Sequence, residues 1–286
     1  MPRNPPPSFR KRKGGTPVPE AALAEFIVNR ASDRLTQLLQ VIELLLGCLP
    51  LGGDEIVLIR NHELVPGDDA GGPLVHGYGS RNGSIVPGGT TNLVLDARTL
   101  EVKREFRTLA GTIRNCSGGI TPWGSWLTCE EAPTGPGQRY GDGLALDHGW
   151  VFEVPAAATG LVDAVPLKAM GRFNHEAACV DPATGVIYLT EDRGDSVLYR
   201  FVPKTPGRLH DGGQLQAMVV DGLADTRNWS APDMPVGASY PVRWIDCDDV
   251  EAPADDLRHR SAAPGAALLA PAAGTHPGMG RSLLHL

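Results

Sequence analysis

Four short segments gather the residue types that hold metal ions. They are Arg60-Asn61-His62-Glu63-Leu64, the long run from Arg114-Asn115-Cys116-Ser117 to Thr128-Cys129-Glu130-Glu131, Gly171-Arg172-Phe173-Asn174-His175-Glu176-Ala177-Ala178, and Thr190-Glu191-Asp192. Two of the four contain Asn-His-Glu. A single carboxylate at a strand edge needs no explanation. Several that meet need a cation, because like charges within a few ångströms raise one another's pKa. Oxygen ligands suit a hard ion such as calcium, and a thiolate beside carboxylates suits iron better. Adjacent carboxylates on a strand point to opposite faces, so one of Glu130 and Glu131 can face such a site while the other pairs elsewhere. Familiar nucleophile motifs are missing: there is no GxSxG, GxxxxGK[ST] or HExxH, and Ser117 has no evident His/Asp context.

The elements that must position these residues read as short strands. The runs at 55–59, 91–95, 126–128, 150–154, 186–190 and 197–202 are rich in β-branched and aromatic residues, and turn clusters such as Asp181-Pro182-Ala183-Thr184-Gly185 punctuate them. Residues 91–106 repeat the same strand, Asp-x-x-Thr, strand pattern. With 35 Gly and 25 Pro and no triplet period, the composition fits many tight turns and excludes collagen. Residues 1–52 form an N-terminal extension, basic and Pro-rich at first, with apolar residues from Ala21 to Leu45 at helical spacing. Residues 261–286, rich in Ala, Pro and Gly, read as a disordered tail. A net charge of −7 argues against a nucleic-acid partner. The apolar run 35–51 contains Glu43 and is too short for a membrane span. It also starts too late for a signal peptide, so no export signal is recognisable and the compartment stays open. Five cysteines without a CxxC pair make a zinc ribbon or a disulfide scaffold a poor fit.

In order and wording, "RNHEL", "GGTTNLVLD", "LAGTIRNCSGGITPWGSWLTCEE", "GRFNHEAACVDPATGVIYLTED" and "SVLYRFVP" resemble the PhoX-type alkaline phosphatase family. The likeness spans residues 53–260. It implies a six-bladed β-propeller with ferric and calcium ions at its axis, acting on phosphate monoesters. By the same resemblance Cys116 and Glu176 are iron ligands, and Glu63, Glu130, Glu131, Glu191 and Asp192 are candidate iron or calcium ligands. Asn115 and His175 would orient ligands or phosphate. At about 40–50 residues a blade, the matching stretch makes roughly four to five blades, an incomplete propeller behind an N-terminal helix. The family's Arg-Gly-Glu segment is absent after Arg260. The expectation is therefore a shortened, impaired hydrolase, with Arg114, Arg172 and Arg193 near enough to the retained motifs to substitute in part. A non-catalytic metal-holding propeller and a calcium-dependent propeller lactonase or esterase are the competing readings.

Overall fold

Aspartates at the strand ends set the hairpins. Asp181 accepts from the Ala183 amide (3.0 Å) and the Thr184 hydroxyl (2.6 Å), and Gly185 closes the turn at φ +74°. Asp96 receives the Arg98 and Thr99 amides at 2.9 and 3.1 Å in the same way. Such side chain to backbone bonds offer the chain a ready turn where a strand must reverse.

The computed structural model describes residues 46–230, 234–235, 237–272, 274–278 and 281–285. Its strands are β1 (Leu46–Gly52), β2 (Glu55–His62), β3 (Ser80–Arg81), β4 (Ser84–Ile85), β5 (Gly88–Asp96), β6 (Val102–Thr112), β7 (Asn115–Ile120), β8 (Ser125–Glu130), β9 (Val151–Pro155), β10 (His175–Val180), β11 (Ile187–Glu191), β12 (Tyr199–Pro203), β13 (Gly213–Val220), β14 (Val242–Asp246), β15 (Gly274–Gly278) and β16 (Arg281–His285). They form three main sheets in the orders β1-β2-β5-β6, β7-β8-β9 and β10-β11-β12-β13-β14, with hairpins β3-β4 and β15-β16. Every pairing between these strands is antiparallel. The sheets follow one another along the chain in a β-propeller-like arrangement, with four, three and five strands rather than a uniform four.

The largest core joins the second and third sheets. Leu127, Cys129 and Val151 pack with Phe173, Ile187, Leu189, Tyr199 and Phe201. A second cluster joins the first sheet, through Leu49, Val57, Ile59 and Val94, to Trp126 of β8. Strands β7 and β10 run close together between these cores. Glycine permits that approach, since a Cβ on Gly119 would overlap the Ala178 carbonyl oxygen.

Two expectations about the ends change. The helical pattern at 21–45 lies outside the described residues, and an N-terminal helix is not supported. Leu46–Gly52, placed with that extension from sequence, is an edge strand paired with β2. Gly47 and Pro50 are poor helix residues, and an edge strand tolerates Pro50 because its missing N–H leaves no neighbour unbonded. At the other end, Leu257–Ala262 forms α1, the single α-helix among the described residues. The segment beyond it is packed rather than loose: Ala266, Ala267, Leu269 and Ala272 are buried. The Ala267 amide bonds to the Met218 carbonyl and that of Leu269 to the Ser196 carbonyl, both at 2.9 Å. Apolar residues without periodicity here fill gaps against a sheet, a role that composition does not reveal.

Because Gly119 is pressed against backbone, which cannot rotate aside, Gly119→Ala is expected to cost about 1–3 kcal/mol. Urea unfolding checks this. An unchanged midpoint would show that β7 and β10 are free to separate.

Candidate metal centre

The centre starts from two matching faults in the sheets. In the β7-β8 pair, Asn115 faces Glu130 and Gly118 faces Thr128, so β7 carries one extra residue between them. In the β10-β11 pair, His175 faces Glu191 and Ala178 faces Leu189, with the same extra residue in β10. A bulge of this kind bends a strand and re-aims its side chains. Cys116 lies in the first bulge and Glu176 in the second. The backbone groups released from the ladder find other partners. Asn61 donates its side-chain amide to the Cys116 and Ser117 carbonyls at 3.1 and 2.9 Å. Its Oδ1 accepts from Trp126 Nε1 (3.0 Å) and Thr128 Oγ1 (2.8 Å). In the second bulge, Thr190 Oγ1 receives the Ala177 amide at 3.0 Å.

Both bulges lie at the sheet edge where β2, β8 and β11 end. There the potential ligand atoms of Glu63, Cys116 and Glu131 come within 4.8 Å of one another. Those of Glu131, Glu176 and Asp192 do the same, so Glu131 links the two groups. Cys116 Sγ donates to Glu176 Oε1 at 3.3 Å. Asn174 donates to Glu131 Oε1 at 2.9 Å and to the Asp192 carbonyl at 3.0 Å, tying the two sheets together. Arg114 Nη2 reaches Glu63 Oε1 at 3.2 Å and also bonds Glu131 Oε2. Thus three successive sheets contribute four carboxylates and one thiol to a single region.

The electrostatics follow from that crowding. Burial pushes the Glu176 pKa up to about 8, and Glu131 and Asp192 add to the rise against the Cys116 hydrogen bond. Burial also raises Glu131, opposed by Arg114 and Asn174. The Cys116 thiol is pushed well above its ordinary range, first by burial and then by Glu176 and Glu63. Without a metal ion, the thiol and Glu176 are therefore protonated near neutral pH.

Four residues expected at the site are not brought to this cluster. Glu130 is wholly buried, accepting from the amides of Ile113 (2.8 Å), Gly149 (2.7 Å) and Trp150 (3.1 Å), with His148 Nδ1 at 2.7 Å. Glu191 is also fully buried and neither oxygen is hydrogen-bonded; Arg258 Nη1 lies 3.8 Å away. Burial raises its pKa to about 8. Asn115 donates to Thr128 Oγ1 at 2.9 Å and accepts from Thr112. His175 Nε2 donates to the Gly171 carbonyl at 3.0 Å and its ring lies against Phe173. Burial holds His175 neutral, with a pKa lowered to about 3. The physical reason is alternation. At the ends of β8 and β11 the first carboxylate turns into the protein and the second reaches the centre. Sequence reasoning also passed over Asn61 and Asn174. The repeated Asn-His-Glu was their signal: in both copies Asn braces the site and Glu enters it, while His bonds elsewhere. His62 Nε2, for example, lies 2.6 Å from Thr91 Oγ1.

Two outcomes follow from this geometry. Glu130→Ala strands three buried amide donors and is expected to cost several kcal/mol, about 1–3 for each, whereas Glu131→Ala removes carboxylate repulsion that offsets the loss of its Arg114 and Asn174 bonds, and costs less. Comparable losses in urea would contradict the division of roles. In chelator-treated protein, folded Glu176 keeps a proton between its unfolded value of 4.5 and about 8, while the unfolded chain has lost it. Stability should therefore fall as pH rises through that window, with Glu191 adding the same sign. Glu176→Gln should flatten the slope, which unfolding midpoints across the window will measure.

Comparison with known proteins agrees with this architecture. The family model described as alkaline phosphatase PhoX matches residues 76–270. Among solved structures, Pseudomonas fluorescens PhoX in complex with vanadate, a transition state analogue, is similar with a TM-score of 0.51 and 17% sequence identity. The alignment covers 82% of this chain and 55% of that one, so the chain spans about half the length of that structure. No curated protein matches. With the family model covering well over half of its residues, the chain belongs to the PhoX alkaline phosphatase family.

Proposed function

We infer that this chain carries a metal-dependent centre for phosphate monoester hydrolysis, with calcium and iron as its metals. The observation that carries the reading is the convergence of Cys116 with Glu63, Glu131, Glu176 and Asp192 from three sheets. These residues fit metal ions chemically. Glu131 and Glu176 are buried beside the half-buried Asp192, so ionising them together is unfavourable, and a polyvalent cation removes the conflict. Glu63, Glu131, Glu176 and Asp192 offer oxygen donors suited to calcium. Cys116, ionised on binding, adds the softer donor that favours iron. When bound, such ions supply positive charge opposite the phosphoryl oxygens. The chain's own residues set the frame for that charge. Asn174 fixes the Glu131 carboxylate, and Asn61 fixes the bulge that presents Cys116. The buried Glu130 anchors the end of β8 beneath them. Arg172 is not available to an anion: it is 1% exposed and bonded to the His148 carbonyl, the Ala252 carbonyl and Gln138.

The test is hydrolysis of p-nitrophenyl phosphate by purified protein, first treated with chelator and then given calcium, ferric iron or both. Turnover is expected with both metals and is lost on chelation. The impairment expected from sequence would show as a low kcat. Glu131→Gln should reduce turnover on the order of a hundredfold or more, because it weakens the carboxylate shared by both ligand groups. Cys116→Ser should lower retained iron while leaving calcium largely bound, as elemental analysis would reveal. Metal retention without turnover would favour a non-catalytic propeller module, and turnover of lactones or carboxylic esters instead would favour the calcium-dependent lactonase reading.

A further inference from the structure

Arg114 stands in an unusual position. Its backbone is left-handed, at φ +49°, a conformation that costs energy for a side chain other than glycine. The backbone is also fastened on both sides. Its N–H donates to the Leu64 carbonyl and its carbonyl accepts from the Glu131 amide, both at 2.9 Å. The Cα is thus pinned between the ends of β2 and β8, beside two of the cluster's carboxylates. The side chain bridges those same carboxylates, and Nη1 donates to the Glu131 carbonyl oxygen at 3.1 Å. It is 38% exposed, so solvent reaches the guanidinium. Other arginines nearby are committed elsewhere: Arg193 to Asp255, and Arg258 to Asp195 and Asp255.

We propose that Arg114 is a displaceable internal cation: it holds Glu63 and Glu131 in the metal-free centre, yields them to an incoming metal ion, and then turns its freed guanidinium to the anionic group of the substrate. The inference rests on the metal-centre reading above and names the residue that would recognise the phosphate. Charge and geometry support it. A guanidinium and a metal ion compete for the same carboxylates, since the two positive charges repel one another when both are held there. The fixed backbone keeps the side chain tethered at the centre when it lets go. A planar fork of N–H donors matches phosphate oxygens in pairs. The strained backbone is then explained as the means of holding a mobile cation at the edge of the ligand cluster.

The test uses the full chain and two titrations. Calcium is titrated into chelator-stripped protein by calorimetry, and inorganic phosphate into the calcium-loaded protein. Arg114→Gln is expected to bind calcium about tenfold more tightly, having lost the competing charge, and to bind phosphate about tenfold more weakly. Unchanged or weaker calcium binding, or unchanged phosphate binding, overturns the proposal while leaving the metal centre intact. A wild-type chain that binds no calcium overturns the metal reading itself, and this inference with it. Should Arg114→Gln fail to fold, the wild-type protein labelled with ¹⁵N-arginine answers the question, the Arg114 side-chain signal being identified by its loss in Arg114→Lys. That signal should move or exchange faster with solvent on calcium addition. A signal unmoved at saturating calcium overturns the proposal.

Discussion

The constraint on which this structure depends is the gathering of like charges in a half-buried space. Glu63, Glu131, Glu176 and Asp192 approach one another beside the Cys116 thiol, and Arg114 is the guanidinium among them. Ionised together without further compensation, these groups would push the sheet ends apart. The chain meets the problem in three ways. Glu176 and the thiol keep their protons, Arg114 bridges Glu63 and Glu131, and the neutral Asn174 amide donates to the other oxygen of Glu131. Each device holds the cluster together and each can be reversed.

The second and third sheets solve this positioning problem identically. Cys116 and Glu176 occupy equivalent bulges, Glu130 is equivalent to Glu191, and Glu131 to Asp192. Within each pair of acidic neighbours one side chain supports the fold and the other reaches the centre. The two supporting carboxylates differ in kind. Glu130 is surrounded by donors, whereas neither oxygen of Glu191 is hydrogen-bonded and its pKa is raised by burial. A buried carboxylate with a full set of donors stays fixed; one without them is better kept protonated. Only the first bulge carries glycines, because Gly118 lies against the Leu127 carbonyl and Gly119 against the Ala178 carbonyl. A bent inner strand brings its backbone against its neighbours, leaving no room for a Cβ.

The relation to PhoX rests on sequence motifs over most of the chain and on a shared fold, at 17% identity to the solved structure over 55% of that protein's length. Shared fold does not carry activity with it. The local chemistry of three sheet ends supplies a cluster suited to metal ions, and membership of the family supplies the phosphate ester reading.

Much of this was legible in the residues. Strand positions followed from β-branched and aromatic runs, and the hairpins from Asp-x-x-Thr turns, because these patterns act over a few residues. The Asn-His-Glu repeats and the paired carboxylates marked the segments whose side chains meet in the acidic cluster. Strand alternation foretold that Glu130 and Glu131 would part company. Which of the two faces the centre was decided by tertiary structure, through the donors of Ile113, Gly149, Trp150 and His148 that capture Glu130. The inward turn of Glu191, the enclosure of Asn115 and His175, and the packing of residues 261–272 were settled in the same way. So was the strand at 46–52, whose apolar spacing is satisfied by a helix or an edge strand until β2 offers its backbone. The reason is range: a residue's type states which partners it can accept, and only the folded neighbourhood determines which of them arrive.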